Sequence, residues 1–172
     1  GKTGLFPADH PSAPNRVAAG WEDALCRGGL ALALLQLLED PAERDLCGLI
    51  IRAHRGLFRF ETTAGRQILH DVYSGASFLL VGRDHVAREM MDDNLGGLCQ
   101  ARVVGAADGC AMLPGVVFHA AEATEHILKV LDSANEQRMD ADEVCDALLR
   151  MDHTLRTMSR GRASFAYRAI KK

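Results

Sequence analysis

Between Leu57 and Phe118 apolar residues recur at every second position in short runs, and each run ends at a glycine-bearing turn. That pattern fixes the backbone class, because a period of two places alternate side chains on opposite faces of a strand and cannot serve a helix. Leu57-Phe58-Arg59-Phe60 is the first run, and Ala64-Gly65 turns the chain. Gln67 to Val72 is the second, Ser74-Gly75 turns again, and Ser77 to Val81 is the third. Leu98 to Val104 forms a fourth. Asp108-Gly109 is a strong hairpin signal into Cys110 to Leu113, and Val116 to Phe118 closes the region. Short strands joined by tight turns predict an antiparallel meander curled into a small barrel or strongly curved sheet of about five strands.

Helical periodicity brackets this block. Pro7, Pro11 and Pro14 predict an extended arm over residues 1–15, with Asn15 capping a helix that begins near Arg16 and aligns Val17, Trp21, Ala24 and Leu25 on one face. Leu30, Leu34, Leu37 and Leu38 continue a helix over 30–38 that is apolar almost all round. Asp40-Pro41-Ala42-Glu43 carries a cap, a proline at the first helical position and an acid in the first turn. Between the third and fourth strands, Asp84 to Gly97 reads as a short helix or ordered insertion. After Phe118, Ile127, Leu128 and Leu131 mark one helix, and Val144 to Met158 a second, opened by Asp140. Phe165, Tyr167 and Ile170 predict a last strand or an adhering tail. The fold class is therefore α+β and a single domain: helical 16–55, β-meander 56–118, helical 119–159, basic tail 160–172.

The central block, Gly56-Leu57-Phe58-Arg59-Phe60-Glu61, Ile68 to Gly75, Ala101 to Val104 and Leu113 to His119, resembles a β-meander segment of uncharacterised bacterial proteins. Some of those proteins carry a metal-binding tail of the SEC-C type. The resemblance spans roughly residues 55–134 and implies a fold. Its matching residues are turn and core positions, so it implies no activity, and this chain lacks the cysteine-rich tail.

A chain of 172 residues buries about 70% of its unfolded surface and needs no staple to hold a core. The longest dense apolar stretch, Gly28 to Leu38, is far shorter than the roughly 20 residues a membrane crossing requires, so no membrane partner is expected. The five cysteines form no Cys-x-x-Cys pair, which argues against a zinc ribbon or a secreted disulfide scaffold and for buried structural thiols. No charged-then-apolar leader opens the sequence, and the cytoplasm is the expected location.

Charge is uneven. Residues 84–146 hold 13 acids against four bases, whereas 147–172 hold one acid against seven bases. Arg156, Arg160, Arg162, Arg168 and Lys171 with Phe165 and Tyr167 combine cations and aromatic faces, a mixture suited to phosphates and stacked bases. The plainer reading pairs those arginines with the acidic middle region and packs the aromatics on the barrel. His119, Glu122 and His126 fall at i, i+3 and i+7, a spacing able to supply metal ligands if all three share one helix. The adjacent pairs His70-Asp71 and Asp152-His153 point in different directions and make no dyad. No Gly-x-Ser-x-Gly, Gly-x-Gly-x-x-Gly, phosphate loop or His-Glu-x-x-His motif occurs, so no catalytic residue and no cofactor is expected. The favoured function is a non-enzymatic protein–protein interaction or regulatory module that associates as a homodimer. Nucleic-acid binding through the Arg-rich tail and barrel surface is the first alternative, and an enzyme without a recognisable motif is the second.

Overall fold

A computed structural model of the chain describes residues 6–81 and 97–170. The predicted insertion at Asp84 to Gly97 lies outside the described residues but for Gly97, as do Lys171 and Lys172. Helices α1 (Ala13–Cys26), α2 (Leu30–Leu35) and α3 (Pro41–Ile51) precede six strands. These are β1 (His54–Thr63), β2 (Arg66–Asp71), β3 (Ser77–Leu80), β4 (Cys99–Ala106), β5 (Gly109–Met112) and β6 (Val117–Phe118). A 3₁₀ turn at Ala121–Ala123 leads into α4 (Thr124–Glu136), α5 (Ala141–Thr157) and the short α6 (Ala163–Ala166).

The strands close a five-stranded barrel with helices on both sides. Neighbours run β1-β2-β3-β5-β4, β4 pairs back with β1, and β6 pairs with Cys99 and Gln100 at the start of β4, before the stretch that β5 covers. Closure depends on the length of β1. Its first half pairs with β4 and its second half with β2, and Phe58 faces both Cys99 and Asp71 at the changeover. One joint departs from the antiparallel expectation: β3 meets β5 in parallel, at Leu80 and Cys110. Gly109 makes that approach possible, since a Cβ there would lie 2.3 Å from the Leu79 carbonyl oxygen. A barrel this narrow is filled by its own side chains. Phe58, Leu69, Cys99, Ala101, Val103, Cys110 and Val116 occupy the interior, with Phe60 and Phe78 against them.

A second core lies outside the barrel. Leu57 and Leu98 meet Ile127, Val130 and Leu131 of α4, Val144 and Leu148 of α5, and Ala163, Ala166 and Tyr167 of the carboxy-terminal segment. Asp40 caps α3 by accepting from the backbone N–H of Ala42 and Glu43, and Asp140 caps α5 by accepting from Glu143.

Four expectations need correction. α1 begins at Ala13, so Pro14 sits in its first turn, where a missing N–H costs nothing, and the segment before it forms turns rather than an extended arm. α2 ends at Leu35, not Leu38, after Gly29 adopts a left-handed backbone (φ 75°) to restart the helix. The final segment is a turn of helix at Ala163–Ala166, not a strand. The stripe of Val17 and Trp21 does not face the core, a point that shapes the next section.

Candidate functional site

α1 is inverted relative to an ordinary amphipathic surface helix. Its buried side chains include Arg16 and Glu22, while Val17 and Trp21, one turn apart, face outward, with Trp21 63% exposed. The cause is that its inner neighbours are polar. Arg16 donates to the Leu149 carbonyl (2.9 Å) and to the wholly buried Asp152 (2.8 Å) of α5. Glu22 accepts from the Gly115 backbone N–H and faces Arg102 of β4 at 3.8 Å. Burial raises the Glu22 carboxyl above the usual range, against the Gly115 hydrogen bond and Arg102, which hold it down.

The outward faces of the layer carry further apolar side chains. α2 packs on both α1 and α3. Ala31 is buried against α3, where the Cys47 thiol donates to its carbonyl, while Leu30, Leu32, Leu34 and Leu37 stay exposed, Leu37 at 78%. Leu46 of α3 is exposed as well. Val17, Trp21 and these leucines together exceed the scattered single apolar exposures usual on a monomer.

Behind this layer runs a seam of ion pairs. Arg55 of β1 donates to Asp142 (3.2 Å) and Asp146 (2.8 Å) of α5, Arg27 donates to Asp146 (2.9 Å), and Arg102 pairs closely with Asp23. The Asp146 carboxyl, though raised by partial burial, is held below its ordinary value by Arg27 and Arg55. A cleft of about 460 Å³ opens here, lined by Cys26, Arg27, His54, Arg55, Arg102 and Asp142 among others. At its wall, His54 Nε2–H donates to the buried Asp71 (2.9 Å), which also accepts from the Ser74 hydroxyl (2.6 Å) and the Tyr73 N–H (3.0 Å). The Cys26 thiol donates to the Ile50 carbonyl, and burial raises its pKa, which favours the protonated thiol. The guanidinium groups are engaged by carboxylates of the chain itself, and the cleft is structurally satisfied.

The proposed metal ligands are not brought together. His119 precedes the helix instead of lying on it. It is wholly buried, with Nδ1 2.8 Å from the Tyr167 hydroxyl, and burial pushes its pKa down to about 4. Glu122 is exposed on the 3₁₀ turn, and His126 is half-buried on α4. Among the described residues no three His, Cys, Asp or Glu side chains form a group able to hold a metal ion.

The basic and aromatic tail also divides. Tyr167 is buried under His119, so it offers no face to a base. Arg156 is held by Asp152 through Nε (2.9 Å) and by the Phe118 carbonyl (2.7 Å). Arg160, Arg162, Phe165 and Arg168 are exposed, and Lys171 lies outside the described residues. Among the described residues the expected pairing with the acidic middle does not reach these tail arginines: it is Arg27 and Arg55 that meet Asp142 and Asp146.

Sequence reasoning missed Arg16, Glu22, Asp152 and the His54–Asp71 pair. Asp71 bonds His54 rather than its neighbour His70, which meets Ser77 and Glu61. Only the Asp152–Arg156 pair, four residues apart on α5, had a local signal. Compared with protein-family models, curated proteins and solved structures, the chain matches none. No helix among the described residues is long and apolar enough to cross a membrane.

Proposed function

We propose that this chain is a non-catalytic protein-interaction module, cytoplasmic and of bacterial type, whose docking surface is the outward face of α1–α3. The observation that carries the reading is the inverted α1, with charge turned inward and Val17 and Trp21 outward beside the exposed leucines of α2. Large apolar side chains left in water in such number mark a candidate interaction surface, and Trp21 is of the residue type that most often anchors one. The barrel filled by its own side chains and the ion seam neutralised within the chain support the non-catalytic part. The described cysteines are all free thiols, in keeping with a reducing compartment.

The test is a photo-crosslinking amino acid placed at Trp21 or at Leu37 in cells expressing the chain, with exposed Arg59 of β1 as the control position. Protein adducts at 21 and 37, and not at 59, are the expected result. Absence of any protein adduct at both patch positions refutes the reading.

A further inference from the structure

Two exposed surfaces of this chain lack what the other has. Glu39, Glu43 and Asp45, just before and within the start of α3, are exposed and in no ion pair among the described residues, while Arg44 between them is turned to the Leu35 and Leu38 carbonyls. Glu43 precedes Leu46 by three positions on α3 and so shares its side of the helix. At the other end of the chain, Arg150, Arg160, Arg162 and Arg168 are exposed and pair with no carboxylate among the described residues. Among them Met158 (43%) and Phe165 (55%) stand in solvent. One surface carries apolar and acidic side chains, and the other offers two apolar side chains within a basic setting.

Resting on the docking-face reading above, we propose that the occupant of the α1–α3 face is a second copy of this chain, seated through its carboxy-terminal segment Met158–Arg168. Phe165 and Met158 enter the leucine and tryptophan surface, while Arg160, Arg162 and Arg168 meet Glu39, Glu43 and Asp45. Opposite potentials orient the approach and fix the register, and apolar contact supplies the hold. A two-fold arrangement lets both copies make the contact at once, which closes the assembly and doubles the area beyond one patch.

The test uses two charge-reversed full-length proteins, R160E/R162E/R168E and E39R/E43R/D45R, examined by sedimentation velocity at low and high salt. Wild type is expected to dimerise, with affinity falling as salt rises. Each variant alone is expected to lose at least tenfold in self-affinity, and the equimolar mixture to recover a heterodimer, because each reversed surface then meets its complement. Circular dichroism of each variant confirms that the fold is kept. Variants that dimerise like wild type overturn the tail assignment. If Leu37→Glu still abolishes the dimer in that case, the apolar face stands as the docking site and a symmetric face-to-face contact replaces the proposal. If Leu37→Glu is also silent, both readings fall. A tail that binds single-stranded RNA in a salt-dependent manner while the protein stays monomeric also overturns the assignment.

Discussion

Asp152→Asn is the sharpest test of how the amino-terminal layer is held. The carboxylate is wholly buried, accepts from Arg16 at 2.8 Å and from Arg156 Nε at 2.9 and 3.0 Å, and lies 3.9 Å from His119. Asparagine keeps the shape but removes the negative charge, leaving the Arg16 guanidinium buried with neutral acceptors only and no carboxylate. Breaking one side of a buried pair costs about 3–5 kcal/mol, against a total stability of roughly 5–15 kcal/mol for a domain. The midpoint of urea unfolding should therefore fall sharply while the slope stays unchanged. Removing both charges, as Arg16→Met with Asp152→Leu, leaves no fully buried ion, since Arg156 reaches solvent and keeps the Phe118 carbonyl, and should recover most of the loss. A loss under about 1 kcal/mol for Asp152→Asn, or a double variant no better than the single, refutes the claim that this pair anchors α1 with its polar side inward.

Gly109→Ala should destabilise by about 1–3 kcal/mol through collision with the Leu79 carbonyl, whereas Gly105→Ala on β4, with open space around it, should be nearly silent in thermal unfolding. Equal effects contradict the tight parallel joint. Acid should cost stability through His119, which faces Tyr167, Asp152, Arg16 and Arg156. With a folded pKa of about 4 against 6.5 when unfolded, it stays neutral in the fold, so stability is intact above about pH 6.5 and is lost as pH falls toward 4. That contribution is about 3 kcal/mol at most. His119→Gln should flatten that part of the pH–stability curve, and an unchanged slope refutes the assignment.

The barrel was legible because its strands announce themselves locally: alternation over Leu57–Phe60, a short apolar run at Phe78–Val81, and Asp108-Gly109 and Ala64-Gly65 at the turns. The caps at Asp40 and Asp140 were legible for the same reason, since each acts within three residues. What decides the parallel β3–β5 joint is a contact between Leu80 and Cys110, on which no local period bears. The orientation of α1 was misread because its Val17–Trp21 stripe is a sound amphipathic signal with the opposite outcome. Arg16 and Glu22 find partners 136 and 93 residues away, and those partners, not the stripe, choose which side faces in. Tyr167 was assigned to a binding tail on composition, but it fills a core position whose polar end is taken by His119.

The mass of the protein in solution, followed by light scattering over a wide concentration range, tests the central claim most directly. For the wild-type chain the mass should rise from that of one copy to that of two, and the emission of Trp21, the single tryptophan, should shift to shorter wavelength in step. Leu37→Glu should hold the mass at one copy with circular dichroism unchanged. A wild-type mass of one copy at every concentration, with Trp21 emission fixed at that of an exposed indole, contradicts it.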